Sequence, residues 1–266
     1  MFGDGNVIGN PGVQADFAQM QIFDDNCAVC AETSIINQFR SDDPLSQEDA
    51  AYISAQNGWY VPGNGTSPDV IGNLMDAYGI ENHTVINADI QALARELQQG
   101  HGVIVGVNSS QLWESGPLAD LKQFLCKSLG LDNSIWQPAD HAITVTGIDM
   151  SDPDHPQVII NDSGAPNGNG AGVSYPLDKF LDAWENSDFR YTATDVPLPS
   201  LRDAGIDPAF WHNFSWADWI SAGVGIGTAV AIGVNTGDVD FAFDGGLLAT
   251  QTTAELLGSE AFARMI

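Results

Sequence analysis

The pattern of apolar and polar positions changes period part-way along the chain. Residues 1–20 are rich in Gly, Asn and Asp, sustain no period, and read as an irregular lead-in. The run CAVCAETSIINQF that follows has no Gly or Pro and carries apolar residues on several faces, with Asp24, Asp25 and Asn26 before it as capping side chains. That combination predicts a largely buried helix with Cys27 in its first turn. SQEDAAYISAQNG predicts a second helix, capped by Ser46 and stopped by Gly58; residues 67–78 predict a third, with Pro68 early and Gly79 at the end. DIQALARELQQG predicts a fourth, because Ile90, Leu93 and Leu97 recur at spacings of three and four.

From there the period shortens. GVIVGVN reads as a buried strand, HAITVTGID and QVIIND as two strands joined by the turn-rich SDPDHP, and FRYTATDV as a last strand. Between them lie a weakly helical LADLKQFLCKSLG, a flexible GAPNGNGAG loop, and VSYPLDKFLDAWEN, a short strand followed by a helix. A helical first half feeding an antiparallel sheet is an α+β pattern. From about Pro197 the composition shifts: Trp211, Trp216 and Trp219 precede the Gly-rich ISAGVGIGTAVAIGV. That run of about 15 residues is shorter than the ~20 needed to cross a bilayer, so it predicts a buried hairpin or helix and no membrane span. We therefore expect a catalytic domain over residues 1–196 and a Trp/Gly-rich extension over 197–266.

Charge narrows the partners. The 266 residues include 35 Asp and Glu against 8 Lys and Arg. With the basic residues scattered singly, the phosphate-neutralising term that drives nucleic-acid binding is missing, and an anionic membrane surface is disfavoured for the same reason. The same field would attract basic peptides, but a solvated surface adapted to solubility or salt is the preferred reading, and the charge alone names no substrate. The opening segment MFGDGNVIGNPGVQADF lacks the basic and apolar regions of a secretory signal, which leads us to expect a cytoplasmic protein or one exported without a signal peptide. Three cysteines do not make a disulfide framework, so thiol chemistry is the better use for at least one of them.

The chemistry available is acyl transfer. A thiolate, a base, a group to orient the base, and donors for an oxyanion are what attack on an amide requires. Cys27 at a helix N-terminus has a lowered pKa from the unpaired N–H groups and helix dipole, and its own N–H is an oxyanion donor. The Gln21 amide, six residues earlier, is a second donor. His141 begins one strand and Asp162 ends its neighbour, so the two can meet across an antiparallel ladder. Cys30, one turn deeper, reads as a core residue and is the alternative nucleophile; Cys126 reads as core. The Cys27-Ala-Val-Cys30 spacing also suits metal or redox work, but no second paired motif or βαβ setting accompanies it. His83, His101, His155 and His212 sit among turn residues and read as surface groups.

In these segments the chain resembles the papain-like cysteine peptidases of the C39 type, whose members include domains that cut leader peptides at double-glycine sites. The resemblance spans roughly residues 17–195 and is carried by QIFDDNCAVCAETSIINQF, GNGTSPDVIGNLMDAYGI, GVIVGV, DHAITVTGID, and VIINDSG followed by a Gly-rich loop and a helix with Trp184. It implies the papain-like α+β fold, with Gln21 at the oxyanion, Cys27 as nucleophile, His141 as base and Asp162 as third member. Asn161 competes for the third role, since papain uses an asparagine there; Asp149, at the far end of His141's strand, is a poorer choice. Two positions depart from the family pattern: Ala28 stands where Gly is usual, and Ser163 where Pro is common. The implied activity is peptide-bond cleavage of a peptide or protein substrate through a thioester, without metal or organic cofactor. Alternatives are a deamidase or transglutaminase-like acyl transferase using the same residues, or a non-catalytic binding or toxin module working through its tail.

Overall fold

The computed structural model describes residues 7–114 and 138–203. The weakly helical stretch with Cys126, His212 and most of the Trp/Gly-rich extension lie outside the described residues. The lead-in is more ordered than its composition suggests: Val7–Gly9 is a strand, β1, and Pro11–Ala15 a short helix, α1, capped by the Asn10 side chain, which accepts from the Val13 N–H. Next come α2 (Cys27–Phe39) and α3 (Gln47–Gln56), the latter capped by Ser46 as expected. A hairpin, β2 (Tyr60–Val61) with β3 (Gly65–Thr66), follows.

The expected third helix is broken. A 3₁₀ turn at Pro68–Val70 and a short α4 (Asn73–Ala77) flank Gly72, whose φ of 108° no helix contains. That φ strains any L side chain, and a Cβ here would also meet Asn82 Oδ1 at 2.2 Å and force that side chain to move. The buried Glu32 carboxylate reaches over from α2 to accept the Gly72 and Leu74 N–H groups at 2.8 and 3.2 Å, and thereby caps α4. Burial raises the Glu32 pKa to about 7 against the pull of these donors.

The second half follows as β4 (Asn82–Val85), α5 (Ile90–Gln98), β5 (Val103–Val107), α6 (Ser109–Trp113), β6 (His141–Asp149), β7 (Gln157–Asn161), β8 (Val173–Pro176), α7 (Leu177–Glu185), β9 (Tyr191–Thr194) and α8 (Pro199–Asp203). The strands pair antiparallel in the order β4-β9-β5-β6-β7-β8, and β1 runs beside the far end of β6, pairing Val7 with Asp149.

Alternation along the strands divides the core between two layers. Val103, Val105, Val107, Ile143, Val145, Val158 and Ile160 pack with Leu93, Phe180 and Trp184 of α5 and α7. Ile104 and Ala142 face the other way, onto Val29, Ile35 and Ile36 of α2 together with Leu74 and Met75. Leu198 and Leu201 join that second cluster, so the chain keeps packing against α2 past residue 196. His101 departs from the surface role expected of it. The turn carrying it lies between the layers, and its Nδ1 sits 2.6 Å from Glu96 Oε2, out of solvent. His83 lies in β4, with Nδ1 2.6 Å from Asp195 Oδ1.

Candidate active site

The site forms at the start of β6, where the two layers meet. α2 comes in from one face and delivers Cys27 in its first turn, so the Ala142 N–H points at Cys27 Sγ across 3.4 Å. His141 shares the strand parity of Ile143 and Val145, and Asp162 that of Val158 and Ile160, so both extend the same face beyond its apolar part. His141 Nε2 lies 2.6 Å from Asp162 Oδ1, and the two side chains are only 6% and 0% exposed. With Nε2 committed to Asp162, Nδ1 is the ring nitrogen left for the thiol. Asn161 has the opposite parity: its amide donates to the Gln14 carbonyl and accepts from the Gly172 N–H, so it does not approach the imidazole.

Three donors fix the Asp162 carboxylate. Oδ1 accepts from His141 and from the Gly164 N–H at 2.9 Å, while Oδ2 accepts from the Trp113 indole N–H at 2.8 Å. The Trp113 ring also lies against His141, with centroids 5.3 Å apart. The placement of Trp113 is traceable. Asp140, just before His141, accepts from the Ser109 N–H and hydroxyl and so ties α6 to β6, while the Asn108 side chain caps the same helix. The Gly-rich loop after β7 folds back on the same residue: the Asp162 N–H donates to the Gly170 carbonyl at 2.8 Å. A Cβ on Gly170 would fall 1.7 Å from the Asp162 carbonyl oxygen, so the chain passes there only as glycine.

The electrostatics favour an ion pair. Burial alone pushes the Cys27 thiol up, but the hydrogen bond and charge of His141, together with the Ala142 and Ala28 N–H groups, outweigh it and hold the thiol below its ordinary range. Burial likewise opposes the imidazolium, and is outweighed by the Asp162 hydrogen bond and the Cys27 contact, so His141 titrates above its ordinary value. Asp162 is held low against its burial by His141, Trp113 and Gly164. Cys30 is the opposite case. It is buried, its S–H points at the Gln19 carbonyl at 3.5 Å, and burial together with the neighbouring Cys27 charge pushes it up to about 12.

Gln21 stands beside this group. Its N–H donates to the Ser163 carbonyl, its Oε1 accepts from the Ser163 hydroxyl at 3.1 Å, and its amide NH₂ donates to the Phe23 carbonyl at 3.0 Å. The amide carries a second hydrogen. Gly164 brings the parts together: a Cβ there would lie 3.2 Å from Gln21 Oε1 and 2.9 Å from His141 Cε1. Thiol, imidazole, carboxylate and amide from four separate segments thus share one small volume, an arrangement able to hold a thiolate, move a proton and meet a carbonyl.

Compared with known families, residues 13–192 match the sequence profile of the Peptidase_C39 like family. The chain belongs to that family. Its fold is accordingly the papain-like α+β fold, a helical first half packed on an antiparallel sheet. Among solved structures, it is similar to the peptidase domain of Streptococcus ComA, a bifunctional ABC transporter involved in a quorum-sensing pathway. Identity is 17%, the TM-score 0.43, and the match covers 68% of this chain and 97% of that one. It is also similar to a putative C39-like peptidase from Bacillus anthracis, at 14% identity and a TM-score of 0.46 over 71% of this chain and 96% of that one. No curated protein matches it. Among the described residues, no helix of this C39-like chain is long and apolar enough to cross a membrane.

The structure brings Gln21, Cys27, His141 and Asp162 together and leaves Asn161 and Asp149 outside. Two residues at the site were not singled out for a role from the sequence. Trp113 follows no period and has no flanking motif, so only the topology reveals it. Ser163 stood out as a departure from the family pattern, but its hydrogen bond to Gln21 had no sequence signal.

Proposed function

We propose that this C39-like chain is a cysteine peptidase that cleaves peptide bonds through a thioester. The observation that carries the reading is the linked run from Cys27 Sγ through His141 to Asp162, closed at 2.6 Å between imidazole and carboxylate and buried from solvent. The Cys27 thiolate attacks the scissile carbonyl. The Cys27 N–H and the second amide hydrogen of Gln21 take up the developing oxyanion. His141, already protonated, gives its proton to the departing amine and then draws one from the water that hydrolyses the thioester. Asp162 holds the imidazole in orientation throughout.

The surroundings suit an extended peptide. Met20, Ile22 and Phe23 on the segment entering α2, and Val61 on the hairpin, are large apolar side chains left exposed. Asp25 ties the two segments, accepting from the Tyr60 hydroxyl at 2.6 Å and from the Gly63 N–H.

The test is incubation of the full chain and its Cys27→Ala variant with a mixed-sequence peptide library, reading new termini by mass spectrometry and free ammonia in parallel. Cleavage by the parent and none by the variant is the expected result. Ammonia release without new termini would replace the peptidase reading by a deamidase or transglutaminase-like one. Neither signal would leave a binding module as the better account.

A further inference from the structure

We propose that Cys27 and Cys30 are a reversible oxidation site, closing to an intramolecular disulfide when the protein meets a peroxide. The inference rests on the thiolate character of Cys27 used above, and not on peptidase activity.

The geometry comes from the helix. Residues three apart lie over one another, with Cβ atoms about 5–6 Å apart. A disulfide needs Cα atoms roughly 4.4–6.8 Å apart and Cβ atoms nearer 4 Å. Closure therefore takes a tightening of only ~1–2 Å in the first turn. Asn26 before that turn makes no side-chain capping hydrogen bond to the helix; its amide is taken up by the Phe23 N–H and the Gln47 side chain. Both cysteines are free thiols. The Cys30 S–H is held by its 3.5 Å contact to the Gln19 carbonyl and by Ser163, and a small cavity bordered by Gln19, Cys30, Ser34, Thr144 and Ser163 flanks it.

The two thiols have opposite characters, which sets the order of events. Cys27 is half-buried with its thiol held below the ordinary range, so it is the one that yields a thiolate more readily; Cys30 is buried and pushed up to about 12. The Cys27 thiolate attacks one peroxide oxygen, the O–O bond breaks, and sulfur is oxidised to the sulfenic acid while the peroxide is reduced. The departing hydroxide takes the proton of His141 and leaves as water. The Cys30 sulfur then attacks the Cys27 sulfur: the S–S bond forms, the S–OH bond breaks, and the hydroxide leaves with the Cys30 proton as a second water. A thiol reductant reverses the closure by exchange. A sulfenic acid with no such neighbour goes on to the irreversible sulfinic acid.

The test treats the full chain with a small excess of hydrogen peroxide, unfolds it in iodoacetamide, and maps residues 1–40 by mass spectrometry before and after dithiothreitol. The expected product is that peptide two hydrogens lighter and unlabelled, with both thiols recovered by the reductant. In Cys30→Ser, and in Cys30→Ala as a second variant, peroxide should drive Cys27 to the sulfinic acid. The reductant-recoverable fraction should then fall about tenfold or more. Labelling of Cys27 at pH 6 before peroxide confirms that each variant is folded at the site. A parent chain that gains two oxygens on Cys27 as readily as Cys30→Ser, or that links Cys27 to Cys126, overturns the inference while leaving the nucleophile assignment intact. A Cys27 inert at pH 6 before any peroxide overturns both.

Discussion

Asp162→Asn is the substitution that most directly probes the ion pair. It preserves shape and one acceptor oxygen but removes the charge. The amide has two possible orientations. With its oxygen at the Oδ1 position it keeps the His141 and Gly164 donors and turns its NH₂ toward the Trp113 indole N–H; flipped, it sets donor against donor at two places. The first is therefore the form adopted, and the His141 hydrogen bond survives as a neutral one. A hydrogen bond to a charged group is worth about 1.5–3 kcal/mol and a neutral one about 0.5–1.5, so the loss is roughly 1.5 kcal/mol. With both side chains almost wholly out of solvent, screening does not erode that figure. At 1.36 kcal/mol per pKa unit, the His141 pKa falls by about one unit and the Cys27 thiol rises by up to as much.

The assay is the rate of Cys27 alkylation by iodoacetamide as a function of pH, which needs only the thiolate. The parent should react well below the ordinary thiol midpoint near 8.5, and the midpoint in Asp162→Asn should move up by about one unit. Stability reads the same charges. Cys27 and Asp162, with lowered pKa values, contribute stability above their ordinary values and lose it as pH falls through the lowered ones. His141, raised, contributes below its ordinary value and loses it as pH rises through the raised one. The variant also leaves the Trp113 N–H facing a donor, at a further cost of about 1–3 kcal/mol that Trp113→Phe added to Asp162→Asn should partly restore. An unmoved alkylation midpoint in a variant that melts normally would refute the coupling of Asp162 to the thiol.

Two further substitutions test the frame around the site. Glu32 binds a proton more readily in the folded protein, at about 7, than unfolded, so its contribution falls as pH rises from the ordinary carboxylate range near 4.3 to about 7. Glu32→Gln should thus gain on the parent in unfolding free energy between pH 5 and 8, by up to roughly 3.5 kcal/mol; an equal pH dependence in both would count against it. Gly170→Ala should cost more than about 4 kcal/mol or displace Asp162 and quench Cys27 alkylation. Gly168→Ala, with a φ of 70° but nothing within 4 Å of its added Cβ, should cost only about 1–2 kcal/mol. Similar denaturation midpoints for the two alanines would sink the close-approach argument.

How far the sequence disclosed this architecture depended on whether the deciding force was local. The start of α2 was legible from its uninterrupted apolar run, although the expected capping did not hold: Asn26, at the cap position, makes no side-chain bond to the helix, and Asp25 turns to Tyr60 and Gly63 instead. β5, β6 and β7 were legible because strand pairing follows two-residue alternation. Alternation along β7 allows only one of Asn161 and Asp162 to face His141 without saying which, and the structure gives each side chain its own face. What failed was set by distant chain. The helix expected over residues 67–78 breaks at Gly72 because Asn82 comes against it and Glu32 holds the next turn, neither visible in the local pattern. His101, flanked by Gly100 and Gly102, reads as a turn on the surface. A Cβ on Gly102 would instead touch Ile35 and Leu198 at 3.1 Å, because the turn is clamped between α2 and the segment just before α8, far apart in sequence. β4, with the polar sequence NHTV, has no alternation to read and is a strand because β9 pairs with it.

Ser163 shows how a departure from the family pattern can carry a role. Its hydroxyl donates to Gln21 Oε1, which fixes the oxygen end of that amide and hence which side presents N–H groups; proline, common at this position in the family, has no hydroxyl to do so. If Gln21 serves the oxyanion, Ser163 is a positioning residue for it, and the two chemistries of Cys27 should separate. Alkylation by iodoacetamide develops no oxyanion, whereas acyl transfer does. Ser163→Ala should therefore leave the alkylation rate and its pH profile unchanged while lowering kcat on any peptide the parent cleaves by about tenfold, less than the 10²–10³ expected for removing a donor outright, with little change in KM. Ser163→Thr, which keeps the hydroxyl, should recover most of the loss. A parallel fall in alkylation would mean that Ser163 acts through the thiol or Cys30 instead. An unchanged kcat would mean that the Gln21 amide finds its orientation without help.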